Sequence, residues 1–169
     1  KTFTDAYDES NDRLYYYANY DVLTGLLSRW GFSEHISKGF NTVYQDGILL
    51  LIDIDNFKLI NDRRGHKVGD EVIKRFGEIL QGYFGGNKKN LLCRWGGDEF
   101  IVLSFDSEKE LDKLMEGVSR EFLDYISNIE PLVDISIGSV HIKNCRSVDD
   151  LLTLADQFMY NQKRAKRKI

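Results

Sequence analysis

Cysteine is scarce in this sequence: only Cys93 and Cys145 occur. They have neither metal-ligand spacing nor a disulfide framework, so both read as small apolar residues in a reducing, cytosolic setting. Long apolar runs are missing too, and nothing approaches the roughly 18 consecutive apolar residues of a membrane helix. Direct membrane contact is therefore not expected. Positive charge is in deficit, with 23 Lys and Arg against 27 Asp and Glu and a net charge of -4, which argues against a nucleic-acid-binding surface. There are no internal repeats or low-complexity segments, and the sequence carries neither an initiator Met nor a signal peptide. This reads as a piece of a longer protein whose upstream part is absent.

What is present is a soluble globular composition, 42% apolar and 30% charged over 169 residues, enough for one buried core. Residues 4–20 carry an imperfect helical stripe, read as the end of a connecting helix, and the spacing of Trp30, Phe32, His35 and Ile36 predicts a second helix to about Tyr44. Ile48–Ile52 is a continuous apolar run, predicting a central strand that leaves Asp53 and Asp55 on one face. Beyond Gly69, Val72, Ile73, Phe76, Ile79, Leu80 and Phe84 predict a long amphipathic helix. Leu91–Trp95 and Phe100–Phe105 form hairpin arms, Ser107 starts another helix, Val133–Ile142 alternates as a strand, and Ser147 caps a last helix. The order βαββαβ predicts an α+β, ferredoxin-like antiparallel sheet with helices packed on one face.

The hairpin turn reads Arg94-Trp-Gly-Gly-Asp-Glu-Phe100. Gly96 and Gly97 are ordinary turn residues that supply positive φ, or else they leave backbone bare for a bulky ligand. Asp98 and Glu99 are solvated turn acids, or half of a metal site. In this topology the end of the first strand lies beside the hairpin, so Asp53, Asp55, Asp98 and Glu99 converge on one rim. Like charges this close need protonation, open solvent or cations. Mg²⁺ suits them, because it takes oxygen ligands at about 2.0–2.1 Å and bridges a few carboxylates to phosphates; two such ions roughly 3.5–4 Å apart would serve nucleotidyl transfer. The basic run Asn161–Lys168 is a solvated helix end or a phosphate-binding segment.

Three separated stretches, Asp21–Arg29 (DVLTGLLSR), Asp53–Glu71 (DIDNFKLINDRRGHKVGDE) and Gly96–Phe100 (GGDEF), occur in an order that resembles the GGDEF family of diguanylate cyclases. The resemblance covers nearly the whole chain from Asp21 onward, giving a connecting, signalling helix over 1–20 and a catalytic domain over 21–169. It implies a fold similar to nucleotidyl cyclase and polymerase palm cores. It also implies condensation of two GTP into cyclic di-GMP and two pyrophosphates by a homodimer of half-sites, with two Mg²⁺, or Mn²⁺, at each half-site with GTP. By the family pattern Asp53, the Ile54 carbonyl and Asp98 hold metal, with Glu99 sharing a metal or assisting deprotonation. Asn61 and Asp70 recognise guanine, and an amide plus a carboxylate matches that base's edge. His66 contacts the nucleotide or is structural. Phe57 and Lys58 meet the terminal phosphates, although Phe57 fits the core equally well; Gly96 and Gly97 admit the nucleotide, and Lys163 and Arg167 bind triphosphate.

The departures are informative. The Arg-x-x-Asp product-inhibition site of many members is here Asn87-Lys-Lys-Asn90, which implies no feedback through that site. Ser28 replaces an Asn, and Lys166 and Lys168 replace a Gly and an Asn of the terminal motif. A GTP-binding regulatory or partner-binding domain without catalysis is the alternative of a different class. A missing N-terminal sensor, itself membrane-bound in one version of this reading, would control the domain.

Overall fold

The structure, a computed structural model, describes residues 3–166. Strand β1 (Ile48–Asp55) is buried along its whole length. β3 (Glu99–Ser104) lies antiparallel on one side of it and β4 (Asp134–His141) on the other. β2 (Leu91–Arg94) pairs with β3 and completes the order β2-β3-β1-β4. The register sets Asp53 opposite Glu99 on one flank and Ser136 on the other.

Helices cover both faces of this α+β sheet, which corrects the expectation of one covered face. Ile48, Leu50, Ile52 and Ile54 pack with Phe76 of α4 (His66–Phe84) and Phe122 of α5 (Glu108–Ser127). The Phe76 ring meets Phe100 and Phe122 edge-on, at centroid distances of 4.9 and 4.8 Å. Leu49 and Leu51 point the other way, joining Phe32 and Ile36 of α2 (Arg29–Gly39) and Leu151, Ala155 and Met159 of α6 (Val148–Lys166). The unbroken apolar run of β1 is the mark of a strand with two buried faces. Asp53 and Asp55 share the parity of Leu49 and Leu51, so they emerge on the α6 side.

Other expectations shift locally. α1 spans Phe3–Asn19 as expected. α2 stops at Gly39, where the amides of Thr42 and Tyr44 fold back onto the Gly39 carbonyl, rather than reaching Tyr44. Residues 57–64 form a helix, α3 (Phe57–Arg64), in a stretch to which the sequence pattern assigned no element, and α4 begins at His66, upstream of Gly69. α3 fully buries only Ile60, so it writes no apolar stripe into the sequence. Ser107 and Ser147 accept helix N-terminal amides as expected, from Glu110 and Asp150, and Ser28 caps α2 through Gly31 while donating to the Ala18 carbonyl at 2.7 Å. No helix of the described residues is long and apolar enough to cross a membrane.

Two contacts fix the frame around the strand ends. A Cβ on Gly138 would lie 1.9 Å from the Ala155 carbonyl oxygen and 2.7 Å from the Met159 nitrogen, so α6 rests backbone to backbone on β4. Behind the hairpin, Asn87 and Asn90 donate to the two Asp106 oxygens at 3.2 and 3.0 Å, and the Ser104 hydroxyl adds a bond of 2.8 Å. Asn90 also donates to the Phe84 carbonyl and accepts from the Phe105 amide. Burial pushes the Asp106 carboxyl up, but the bonds from Asn90, Ser104 and Asn87 outweigh it and hold the group below its usual value.

Gly138→Ala is expected to destabilise the fold by about 1–3 kcal/mol, the cost of forcing atoms into a packed interface. It would appear as a lower urea midpoint at unchanged m-value, and a wild-type midpoint would contradict the close approach. Because the folded Asp106 pKa is depressed, its bonding contributes stability above the unfolded value and loses it as pH falls through the folded one. Asn87→Ala should therefore cost more stability at pH 7 than in acid, with the extra cost shrinking as pH falls through the depressed folded value. Equal losses at pH 7 and in acid would contradict that sign.

Candidate active site at the ends of β1 and the β2–β3 hairpin

Asp53 and Asp55 sit at the C-terminal end of β1, each only 6% exposed. Burying carboxylates requires partners, and α6 supplies them because Gly138 lets it lie close. Lys163 hydrogen-bonds Asp53 and stands 3.3 Å from Asp55 Oδ1. That second approach is an ion pair without hydrogen-bond alignment, and Oδ1 has no hydrogen-bond partner. The other Asp55 oxygen accepts from the Ser136 hydroxyl at 2.5 Å and lies 3.7 Å from Lys166 Nζ. Lys166 in turn pairs with Asp134 at 2.7 Å and donates to the Ile135 carbonyl.

The hairpin brings the other acids. Ile54, buried between the two aspartates, donates its amide to the Asp98 carbonyl at 3.1 Å, which ties the turn to β1. The Glu99 carbonyl accepts from the amides of Trp95 and Gly96 at 2.8 and 3.2 Å. Arg94 spans the loop, donating from Nε and Nη2 to the Gly97 carbonyl at 3.2 and 2.9 Å while pairing with Asp21 at 3.2 Å. Asp21 also takes the amide and hydroxyl of Thr24. Neither Gly96 nor Gly97 has positive φ, so the expected conformational reason for the glycines is corrected. A Cβ would meet Glu99 Oε2 at 2.9 Å from Gly96 and nothing within 4 Å from Gly97, leaving that backbone open.

The charges feel one another. Burial raises the Asp53 carboxyl and outweighs the hydrogen bond from Lys163, with Asp98 and Asp55 pushing the same way. Burial also raises Glu99, reinforced by Asp53, Asp98 and Asp156 and opposed by Lys163. For Lys163 burial works against the charge, yet Asp53 and Asp55 together hold its pKa above the usual ammonium value. Asp53, Asp55, Asp98, Glu99 and Lys163 thus share one electrostatic site. Asp55 lies at its edge, one oxygen 3.3 Å from Lys163 and the other turned to Ser136 and Lys166, while Asp53, Asp98 and Glu99 act on one another directly. Among the described residues, no group of three or more His, Cys, Asp or Glu side chains is placed to hold a metal ion by itself.

The remaining expected residues lie on α3 and α4. Phe57 opens α3 and packs partly against the core, in keeping with its core reading, and Lys58 is exposed beside it. Asn61 is half-buried, and its Oδ1 would be 2.0 Å from a Cβ on Gly69, so that glycine makes room for the amide. His66 and Asp70 are exposed on the first turns of α4. Asn87 and Asn90 are engaged with Asp106. Arg167 lies outside the described residues. Lys166, Ser136 and Asp134 are close to the acids without having been expected there; the signal for Lys166 was its place three residues beyond Lys163 on one helix. A cleft of about 220 Å³ runs alongside, lined by Asp55, Asn56, Leu132, Asp134, Lys163 and Lys166.

Known proteins share this fold. The family described as "Diguanylate cyclase, GGDEF domain" matches residues 18–169. Diguanylate cyclase DgcM of Escherichia coli (strain K12) is 33% identical over 160 residues, covering 90% of this chain and 38% of the relative. The chain thus spans well under two thirds of that protein. A solved microbial GGDEF domain, described in a novel interaction mode with bis-(3,5)-cyclic di-GMP, superposes with a TM-score of 0.72 at 30% identity, covering 88% of this chain and 94% of that one. The coiled coil and GGDEF domain of DgcB from Caulobacter crescentus, in complex with c-di-GMP, shares the fold with a TM-score of 0.80 at 21% identity, covering 96% and 89%. The strand-end acids and the Gly-Gly hairpin therefore stand on a shared architecture, and the chain belongs to the GGDEF domain family of diguanylate cyclases.

Proposed function

We propose that the chain is a catalytically competent diguanylate cyclase domain that condenses two GTP into cyclic di-GMP and two pyrophosphates, each subunit of a homodimer presenting one GTP. The observation that carries this reading is the pairing of Asp53 with Glu99 across β1 and β3, with Asp98 tied to Ile54 and Lys163 on the same rim. The donors are hard oxygens, which suits Mg²⁺ or Mn²⁺ and not softer metals. Three acids without a ready-made cage suit an ion that takes one or two carboxylates and completes its shell with phosphates.

In this reading Asp53, the Ile54 carbonyl, Asp98 and Glu99 hold up to two such ions. The ions would polarise the reacting phosphate and offset charge on the leaving group. Lys163 exchanges Asp53 for the triphosphate, joined by Lys58, Phe57 through its backbone, and Arg167. Asn61 and Asp70 read guanine, His66 contacts the nucleotide, and Gly96 and Gly97 let it approach the hairpin. In each transfer the 3′-oxygen of one GTP bonds to the α-phosphorus of the other, and the bond to pyrophosphate breaks. Glu99, with its raised carboxyl, is the acceptor for the 3′-hydroxyl proton. α1 is the end of a connecting helix that sets the spacing of two domains under a sensor, in the cytoplasm, where GTP is available.

Chromatography of products formed from GTP and Mg²⁺ at several protein concentrations tests the reading. Cyclic di-GMP and pyrophosphate should appear, with a specific rate that rises with concentration. GTP binding without either product would overturn catalysis in favour of a regulatory domain. Asp98→Ala and Glu99→Ala should each lower turnover by at least about 100-fold, the low end for a positioned acid–base group, with unchanged thermal unfolding; an active double variant would refute their roles. Because the Asn87 and Asn90 amides are engaged with Asp106, micromolar cyclic di-GMP is expected to leave the initial rate unchanged, and strong inhibition would contradict this.

A further inference from the structure

α3 is an unusually under-anchored element for a place so close to the site. Its eight residues lie between two positive-φ joints, Asn56 at φ 62° and Gly65 at φ 85°. Ile60 is its only fully buried side chain. With Phe57 only partly packed beside it, so little apolar anchorage leaves the tilt of a short helix loosely set, because apolar contact is non-directional. Directional bonds must set its orientation.

Those bonds converge on one segment, the connection from α5 to β4. At the N-terminal end of α3, the Asn56 amide donates to the Leu132 carbonyl at 2.8 Å. At the C-terminal end, Arg63 Nη1 meets Glu130 Oε2 at 2.9 Å and Arg64 Nη2 donates to the Ile129 carbonyl at 3.3 Å. The connection is itself stiff. The amides of Ile129 and Glu130 both bond the Ile126 carbonyl at the end of α5. Val133 donates to the Glu130 carbonyl at 3.1 Å, closing a turn whose second residue is Pro131, the sequence's single proline; proline presets φ at that position.

Glu130 is the telling residue. Its side chain is 4% exposed while that of Arg63 is 55% exposed, and Glu130 Oε1 has no hydrogen-bond partner. A connection has no stability reason to bury a half-satisfied carboxylate. The structure assigns a positioning role to it: we propose that the α5–β4 connection is a clasp, and that Glu130, through Arg63, fixes α3 and with it the nucleotide contacts of Asn61 and Lys58. This rests on the reading that α3 and α4 hold GTP. Asn61 lies two residues from Arg63, about 3 Å along the helix axis, so movement at the clasp is movement at the base contact. Asp53, Asp98 and Glu99 stand on the sheet and its hairpin and do not depend on α3.

Amide hydrogen exchange of the nucleotide-free protein, paired with GTP steady-state kinetics, tests this in Glu130→Ala and, as an independent route through an exposed residue, Arg63→Ala. Exchange across residues 57–64 should quicken by about tenfold or more while β1, β3 and α5 stay protected. KM for GTP should rise about tenfold with kcat within about twofold, the pattern of lost binding rather than lost chemistry. Glu130→Gln, which keeps an acceptor for Arg63, should recover most of the KM. Unchanged exchange in both variants overturns the clasp, as does a fall in kcat at constant KM. Quickened exchange in a chain whose wild type binds no GTP supports the clasp and instead overturns the nucleotide reading.

Discussion

Asp53 and Asp55 end a strand that is buried on both faces, and the cost of holding two carboxylates there organises the molecule around them. Lys163 answers Asp53 directly, Ser136 and Lys166 answer Asp55, and α6 can bring both lysines only because Gly138 lets its backbone rest on β4. Burial raises Asp53 even so. In the proposed reading a further cation offsets that cost, and the Gly-Gly hairpin adds Asp98 and Glu99 at the same level of the sheet. Site and fold share one cause: an apolar strand run straight into acids.

Much of this was legible in the sequence, for reasons that differ between elements. The apolar run Ile48–Ile52 announced a central strand because few other structures bury consecutive side chains alternately on two faces. α4 and α5 announced themselves by stripes that include Phe76 and Phe122. The acid pairs were visible as letters, and the topology placed Asp53 beside the hairpin, as the Asp53 and Glu99 register shows. α3 was not legible, because one buried residue writes no periodicity. Nor were Arg94 with Asp21, Lys166 with Asp134, or Arg63 with Glu130, since these pairs are distant in the chain and sequence spacing holds no trace of them.

The departures from the family pattern also gain physical content. At the window where many members carry an arginine and an aspartate, Asn87 and Asn90 bind Asp106, so that stretch secures the junction after β3. Ser28 keeps a capping role. Lys166, in place of a glycine, brings a second cation to Asp55 and a bond to the Ile135 carbonyl, which steadies the last turn of α6 beside Lys163. The hairpin glycines serve by leaving space rather than by their backbone angles.

The central claim is that this rim is a cation site completed by nucleotide. Mn²⁺ binding followed by electron paramagnetic resonance, with a non-hydrolysable GTP analogue present, tests it without requiring turnover. The account predicts bound Mn²⁺ in the wild type, weak binding when the nucleotide is omitted, and loss of the bound signal in Asp53→Asn. Mn²⁺ binding that is the same with and without nucleotide, or that survives the Asp53 substitution, would contradict it.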